Sequence, residues 1–237
     1  MTPPQLTEVE ALELLAQQYG LTGQLSALPG ERDRNFQLCL ASGEKNTFKV
    51  VSADVPLESL KVEIQAMQHL NSELGSLVPH PLADQAGRFI SQVSLQNGRS
   101  CWLRLQSWQP GIPLAEFRPH TTELFHSVGH LMGQVATSLF TLAVPDPHPD
   151  LPWHPDQASQ IVEEGLSLVA DPLLKNFLEQ ALRLYDRYGR PLETDLPRSL
   201  IQNDANDYNI LVHGGLEGPP KLSLIDFGDM VVSWTCA

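Results

Sequence analysis

Three polar side chains near the end of the chain have the types and spacing of a phosphoryl-transfer site. Asp204 and Asn209 lie five residues apart in a loop-like segment, and an apolar run follows them directly. Asp226 then begins an Asp-Phe-Gly sequence after a short glycine-rich turn. In phosphotransferases with this layout one aspartate faces the substrate hydroxyl, while an asparagine and a second aspartate hold magnesium on the nucleotide phosphates. The pattern therefore predicts Asp204 as the catalytic residue and Asn209 and Asp226 as metal ligands.

A lysine and a glutamate in the first part of the chain could steady the nucleotide phosphates. Lys49 lies in the apolar strand sequence Phe-Lys-Val-Val, where an inward ammonium would be costly unless it is paired with a carboxylate. Glu63 lies in the helix that follows this strand. Their separation favours a phosphate-binding pair in which Glu63 orients Lys49. The alternative is a lysine on the solvated face of the sheet, which is the commoner case for a lone lysine.

Two other kinds of structure could use the side chains around Asp204. Aspartate and asparagine often cap their own backbone in turns, which involves no chemistry. A calcium loop of the EF-hand type would require glycine at its sixth position and glutamate at its twelfth. Counted from Asp204, those positions hold Asn209 and Gly215, so this calcium loop is excluded. The position of Asp226 one hairpin later favours the phosphoryl-transfer interpretation over an ordinary turn.

Other side chains with ligand-binding chemistry have simpler structural explanations. His126 and His130 are one helical turn apart, but nothing resembling a full set of metal ligands surrounds them in the sequence. We therefore assign both to a polar helix face. Three of the four tryptophans are assigned to core or hinge packing, namely Trp102, Trp108 and Trp153.

The composition indicates a globular protein with an acidic surface. Hydrophobic residues make up 42% of the 237 residues and charged residues 18%, which leaves enough apolar material for a core. The 15 Lys and Arg against 28 Asp and Glu give a formal net charge of −13. This balance argues against a nucleic-acid or an anionic-membrane partner, because both need a basic face. It suits a small cationic substrate.

The cysteines and the apolar segments lead us to expect a cytoplasmic protein. Cys39, Cys101 and Cys236 are scattered and show no C-x-x-C spacing, so we expect neither a disulfide framework nor a cysteine zinc site. The first residues show no basic region followed by an apolar core, and no apolar stretch approaches about 20 residues. We therefore expect no secretory signal and no membrane span.

The first half of the chain predicts a β-rich unit with two helices. Thr7 and Glu10 have the spacing of a capping box, at the start of a helix that Gly20 would end. Alternation and turn residues predict five strands, with a second helix between the third and the fourth. The strands are expected at 24–28, 35–40, 47–51, 88–95 and 101–108, and the second helix at 56–74. The turn at 96–98 predicts a hairpin between the last two strands.

The second half predicts a mainly helical unit. The segment 109–113 is rich in proline and glycine, breaks regular structure and is the expected lobe boundary. Helices are expected at 121–142, 156–170 and 172–188, and the terminal motifs on a loop and two short strands. We therefore predict an α+β fold of two lobes. The nucleotide-binding lobe would span 1–108, and a helical lobe with the catalytic loop would span 109–237.

The motif segments resemble the aminoglycoside phosphotransferase and choline kinase superfamily of small-molecule kinases. The closer match is to hydroxylysine kinase and to the kinase-like domains fused to class III aminotransferases. The resemblance runs from about residue 10 to the end and is carried by segments 103–111, 203–211 and 224–230. It implies a protein-kinase-like fold, in which a five-stranded N-terminal sheet with a helix precedes a mainly helical lobe.

The resemblance also implies roles for individual residues. It gives the same roles as above to the five residues already assigned, namely Asp204, Asn209, Asp226, Lys49 and Glu63. Asn35 lies in segment 29–36, which matches the loop over the phosphates. Gln106 and Trp108 lie in segment 104–109, which matches the hinge that receives the nucleotide base. Asp229 lies beside the site and is expected to help shape the metal or substrate pocket.

The chain departs from the family pattern in three places. The family usually has His-Gly before the catalytic aspartate, where this chain has Gln202 and Asn203. The expected phosphate loop contains a single glycine, Gly30. The sequence ends soon after Asp229, whereas family members continue with helices that supply much of the amino-substrate pocket. We therefore expect a truncated C-terminal lobe, which belongs either to a fragment of a longer protein or to a truncated product that cannot bind substrate properly.

These observations predict a kinase for small molecules. The expected reaction moves the γ-phosphoryl group of ATP or GTP, with Mg²⁺, to a hydroxyl of a small cationic amino alcohol or amino acid, with 5-hydroxylysine as the leading acceptor. A different class of function is a non-catalytic, nucleotide-binding module of a larger protein with a fused aminotransferase domain. A third is an aminoglycoside phosphotransferase.

Overall fold

The computed structural model describes residues 3–214 and 220–236, which form eleven strands and five α-helices. The elements of the first half are α1 (Glu8–Tyr19), β1 (Gly23–Leu28), β2 (Arg34–Leu40), β3 (Lys45–Ser52), α2 (Leu57–Leu74), β4 (Pro81–Leu82), β5 (Ser91–Ser94) and β6 (Ser100–Ser107). Those of the second half are β7 (Ile112–Pro113), α3 (Thr122–Phe140), α4 (Ala158–Gly165), α5 (Pro172–Leu184), β8 (Arg198–Ile201), β9 (Ile210–His213), β10 (Lys221–Leu224) and β11 (Val231–Trp234). The predicted turn between β9 and β10 lies largely outside the described residues.

The first helix begins and ends as its sequence predicts. The Thr7 side chain accepts a hydrogen bond from the Glu10 N–H at 3.2 Å, and Gly20 ends the helix in the left-handed conformation with φ 66°. The Glu10 carboxylate does not return to Thr7 as in a full capping box. It accepts the Gln96 N–H at 2.6 Å instead, so α1 is tied to the hairpin of β5 and β6.

The first lobe is built on one antiparallel sheet. Its strand order is β1-β2-β3-β6-β4, and β5 pairs with the other part of β6. The five predicted strands are present, and β4 is an additional sixth strand. It was missed because two residues are too short to show a period. One face of the sheet packs against α1 through a core of Leu15, Phe36, Leu38, Phe48, Val50, Leu103 and Leu105.

Helix α2 connects the first lobe to the second. Its inward side chains were predicted from helical spacing, and Ile64, Met67 and Leu70 are buried as expected. They pack in one cluster with residues of α3, including Leu131 and Val135. Because α2 follows β3 in the chain and packs against α3, it fixes the position of the sheet relative to the second lobe.

The second lobe holds the segments of Asp204 and Asp226 between pairs of short strands. β9 and β10 form a hairpin with β7 on its edge, and β8 pairs with β11. The segment 202–209 connects β8 to β9, and the segment 225–230 connects β10 to β11. The sequence predicted only β9 and β10 here. β8 and β11 are four residues long and pair across a large sequence separation, which no local pattern indicates.

The chain crosses from the first lobe to the second at Gly111. This glycine has φ 126°, and a Cβ atom there would lie 2.8 Å from the Val212 carbonyl oxygen. The backbone can therefore approach β9 closely enough for β7 to pair with it. The break predicted at 109–113 thus includes a strand of the second lobe.

The α4 and α5 region is amphipathic, with an exposed apolar side. Both helices lie within the predicted segments 156–170 and 172–188, and neither contains a buried residue. Large apolar side chains of this region face solvent, including Leu168, Leu173, Phe177 and Leu184.

Among the helices of residues 3–214 and 220–236, none combines the length and the apolar character that crossing a membrane requires. The two-lobed α+β fold is confirmed.

Candidate active site

Three polar residues form a row across the sheet of the first lobe. In the strand register Asn35 of β2 lies opposite Lys49 of β3, and Lys49 lies opposite Arg104 of β6. Side chains of directly paired residues point to the same face of a sheet. Lys49 and Arg104 are 6% and 2% exposed, so two cations are buried side by side. Burying them requires carboxylates nearby, because an unpaired buried charge is costly.

Two aspartates from different segments neutralise Lys49. Its Nζ atom lies 3.6 Å from Asp33 Oδ2 and 3.6 Å from Asp226 Oδ1. Burial alone would lower the pKa of Lys49, but the charges of Asp226 and Asp33 outweigh it and raise the pKa. In return, the Lys49 charge lowers the pKa of Asp226. The lysine is therefore held as a cation at the point where the two lobes meet.

Glu63 pairs with Arg104 rather than with Lys49. Its Oε2 atom lies 2.5 Å from Arg104 Nη1, and Arg104 Nη2 lies 3.8 Å from Asp33 Oδ2. The expected direct pair of Lys49 with Glu63 is thus replaced by a chain of charges that passes through Arg104 and Asp33. Sequence reasoning had placed Arg104 only at the start of the hinge. Its position opposite Lys49 becomes visible once the pairing of β3 with β6 is known.

The loop after β8 holds the carboxylate of Asp204 in place with two amides. Asp204 Oδ1 accepts a hydrogen bond from Asn206 Nδ2 at 2.8 Å, and Oδ2 accepts one from Asn209 Nδ2 at 2.8 Å. Burial raises the pKa of Asp204, and the charges of Asp229 and Asp226 act in the same direction. A raised pKa makes this carboxylate a better proton acceptor than an ordinary aspartate.

Gln202 and Asn203, which stand where the resemblance leads us to expect His-Gly, shape the loop before Asp204. The buried Gln202 side chain accepts the Asp204 N–H at 2.8 Å and donates to the Asp226 carbonyl oxygen at 2.6 Å. It therefore joins the loop of Asp204 to the Asp-Phe-Gly segment. Asn203 has φ 65°, a left-handed conformation that asparagine tolerates better than most residues and glycine adopts freely.

Asn209 and Asp226 present oxygen atoms suited to a hard cation. The Ile225 N–H donates to the Asn209 carbonyl oxygen at 2.9 Å, which brings the two residues to adjacent positions. The amide nitrogen of Asn209 is used by Asp204, so its side-chain oxygen is the atom left for a metal. Within the described ranges, no three His, Cys, Asp or Glu side chains cluster as a complete metal site. Phosphate oxygens and water would have to complete the coordination of Mg²⁺ here.

The loop between β1 and β2 reaches across to the second lobe. Its residue Arg32 forms an ion pair with Asp229, and Asp33 forms the contact with Lys49 described above. Asp229 also accepts the Trp153 Nε1–H at 3.1 Å. Trp153 had been assigned to core or hinge packing, but half of its surface is exposed beside the site. The Asn35 side chain closes this loop by donating to the Pro29 carbonyl oxygen at 3.3 Å.

The expected hinge lies at the end of β6. Gln106 is opposite both Thr47 and Pro81 in the sheet, and the Trp108 N–H donates to the Lys45 carbonyl oxygen at 3.3 Å. Both Gln106 and Trp108 are partly exposed. Their contact with a nucleotide base stays a prediction.

A comparison with models of protein families identifies the family of this chain. The model of the phosphotransferase enzyme family, APH, matches residues 25–237. The chain belongs to this family. The match includes the loop between β1 and β2, the buried residues Lys49 and Arg104, and the segments that contain Asp204 and Asp226. No curated protein matches it.

Solved structures share the fold of this family member. An amicoumacin kinase in complex with AMP-PNP, Ca²⁺ and Ami has a TM-score of 0.68 at 18% identity, over 98% of this chain and 66% of its own. A microcompartment-associated aminopropanol kinase has a TM-score of 0.67 at 15% identity, over 96% and 71%. Aminoglycoside 2'-phosphotransferase-IIIa with GDP has 0.62 at 15% identity, over 97% and 75%. The chain thus spans about two thirds to three quarters of these proteins.

The pairing of Arg104 with Glu63 predicts a large and non-additive effect on stability. Arg104→Met should lower the free energy of unfolding by about 3–5 kcal/mol, because it leaves Glu63 buried without its cation. Urea denaturation measures this loss. The double variant Arg104→Met with Glu63→Met should recover much of it. Losses that simply add would contradict a direct pair.

The bridge made by Gln202 predicts a smaller but specific loss. Gln202→Met keeps the size of the side chain but removes both hydrogen bonds, and should cost about 1–3 kcal/mol of unfolding free energy. The exposed Gln24→Met in β1 is the control and should stay within about 0.5 kcal/mol of the unchanged protein. Equal urea midpoints for the two variants would show that the bridge adds no stability.

Proposed function

We propose that this protein transfers the γ-phosphoryl group of ATP or GTP to a hydroxyl group of a small amino compound. One observation carries the proposal. A lysine of the first lobe, Lys49, contacts Asp226 of the second lobe, and Asp226 is joined through Gln202 to the loop that holds Asp204. The cation that we assign to the phosphates and the carboxylate that we assign to the proton are therefore linked through Asp226 and Gln202. Catalysis of phosphoryl transfer depends on such positioning and charge neutralisation.

Each side chain has a defined part in this reaction. The acceptor hydroxyl oxygen forms a bond to the γ-phosphorus while the bond to the bridging oxygen breaks, and the nucleoside diphosphate leaves. Asp204 orients the hydroxyl and takes its proton, and Asn206 and Asn209 hold the Asp204 carboxylate in position. Lys49 binds the phosphates. Mg²⁺, held by Asn209 and Asp226, supplies positive charge to the transferring group when bound.

The acceptor and the setting are proposed from the motif resemblance and from the charge. The net charge of −13 suits a cationic acceptor, and 5-hydroxylysine is the first compound to test. The solved relatives include kinases of aminopropanol and of aminoglycosides, which also carry amino groups beside hydroxyls. We place the protein in the cytoplasm, where Cys39 and Cys101 would remain free thiols. A parent protein with a fused aminotransferase domain is part of the same proposal.

A second candidate is nucleotide binding without transfer. It is favoured by the ion pairs of the phosphate region, because Glu63 pairs with Arg104 and Asp33 occupies one side of Lys49. A domain of this kind would bind a nucleotide and regulate an attached enzyme. Turnover by the protein separates the two candidates.

Substitution of Asp204 tests the proposed reaction. Asp204→Asn should lower kcat by about 10²–10⁴-fold, because the amide cannot take the proton of the hydroxyl. The nucleotide dissociation constant should change little. Release of the nucleoside diphosphate in the presence of 5-hydroxylysine or 1-amino-2-propanol measures the rate, and calorimetry measures nucleotide binding.

The matched control is Asp207→Asn, an exposed aspartate on the same loop, which should keep the full rate. Full turnover by Asp204→Asn would remove Asp204 from the mechanism. Nucleotide binding without turnover by the unchanged protein, over a panel of amino alcohols, would favour the second candidate.

A further inference from the structure

A buried carboxylate and a tryptophan face form a cation site that is filled by the protein itself. The Arg32 guanidinium pairs with Asp229 Oδ1 and lies 5.5 Å from the centre of the Trp153 ring. The Trp153 Nε1–H donates to the other carboxylate oxygen at 3.1 Å. The Asp229 side chain is 11% exposed, whereas that of Arg32 is 38% exposed. The Asp229 carboxylate is therefore the buried part of this site, and the Arg32 cation and the half-exposed Trp153 ring are its accessible parts.

This cation site lies next to the proposed reaction centre. The Asn203 side chain, one residue before Asp204, donates to the Asp229 carbonyl oxygen at 3.1 Å. Asp229 also lies three residues after Asp226 in the same segment. A ligand cation on Asp229 and Trp153 would thus have its neighbouring atoms near the Asp204 carboxylate.

Asp33, the residue after Arg32, connects this cation site to nucleotide binding. Asp33 contacts Lys49, the residue proposed to bind the phosphates. An anionic phosphate at Lys49 would be repelled by the Asp33 carboxylate, so the nucleotide and the present position of the loop compete. Movement of Asp33 would carry Arg32 with it and leave a buried carboxylate without its cation, which is unfavourable.

We propose that Asp229 and Trp153 form the subsite for the cationic group of the acceptor, and that Arg32 occupies it until the nucleotide displaces the loop. The inference rests on the proposed function, because it places the acceptor hydroxyl at Asp204. An alkylammonium or guanidinium group fits the subsite, since a carboxylate pairs with the charge and the indole face attracts it. The nucleotide therefore binds before the acceptor, because its binding moves the loop and removes Arg32 from the subsite.

Calorimetric titration of the full chain tests the subsite without requiring turnover. The probes are 5-hydroxylysine and 1-amino-2-propanol, with uncharged 1,2-propanediol as the comparison. Asp229→Asn should weaken binding of both amines about 10–100-fold. Trp153→Ala should weaken it about 2–30-fold and Trp153→Phe by less, because the aromatic face is kept. Binding of the diol should not respond to these changes.

Removal of the Arg32 charge should change amine binding in the opposite direction and strengthen it. Without nucleotide, Arg32→Gln should tighten amine binding at least about threefold, because the competing cation is gone. Mg-AMP-PNP should strengthen amine binding by the unchanged protein, and should do so less in Arg32→Gln. Arg187→Gln is the matched control, since this exposed arginine lies 5.1 Å from the centre of the Tyr188 ring and belongs to neither the loop nor the motif segments, and it should bind as the unchanged protein does.

The inference and the proposed function fail in different ways. Amine binding with the expected pattern but no phosphoryl transfer would leave the subsite standing and overturn the function. Phosphoryl transfer with an unchanged KM for the amine in Asp229→Asn and Trp153→Phe would overturn the subsite alone. Weaker or equal amine binding by Arg32→Gln, or no amine binding by the nucleotide-loaded protein, would also overturn the subsite.

Discussion

The burial of Lys49 and Arg104 side by side on one face of a β-sheet is the constraint on which the site depends. The strand register fixes the two cations in adjacent positions, and burial demands that carboxylates come to them. Three separate segments supply these carboxylates, namely Asp33 from the loop between β1 and β2, Glu63 from α2 and Asp226 from the second lobe. The two lobes therefore meet where the charges must be balanced.

The loop that contains Asp204 carries Gln202 and Asn203 where the resemblance leads us to expect His-Gly. The segment before Asp204 needs a side chain that joins it to the Asp-Phe-Gly segment and a residue that tolerates a positive φ. Gln202 meets the first need with two hydrogen bonds, and Asn203 meets the second with φ 65°. Gln202 and Asn203 thus join this loop to the Asp-Phe-Gly segment and accommodate its positive φ, and the Asp204 carboxylate accepts hydrogen bonds from Asn206 and Asn209.

Local patterns in the sequence predicted the parts of the site that are local in origin. The spacing of Asp204 with Asn209, the strand of Lys49 and the helix of Glu63 all follow from residue type and period. The partners of these residues did not follow, because the contacts of Arg104 with Glu63 and of Asp33 with Lys49 depend on which helices, strands and loops lie next to one another in the fold. Trp153 was missed for the same reason, since its contact with Asp229 joins residues 76 positions apart. β8 and β11 are too short to show a period.

Binding of a magnesium nucleotide to the charge cluster tests the central claim most directly. Thermal unfolding should be measured with and without Mg-AMP-PNP, for the unchanged protein and for Lys49→Met and Asp226→Asn. A ligand that binds only the folded state adds about 2.7 kcal/mol of stability at a hundredfold excess over its dissociation constant. The account predicts a clear rise in Tm that requires Mg²⁺ and is lost in both variants. An equal rise in the two variants, or none in a cooperatively unfolding protein, would contradict it.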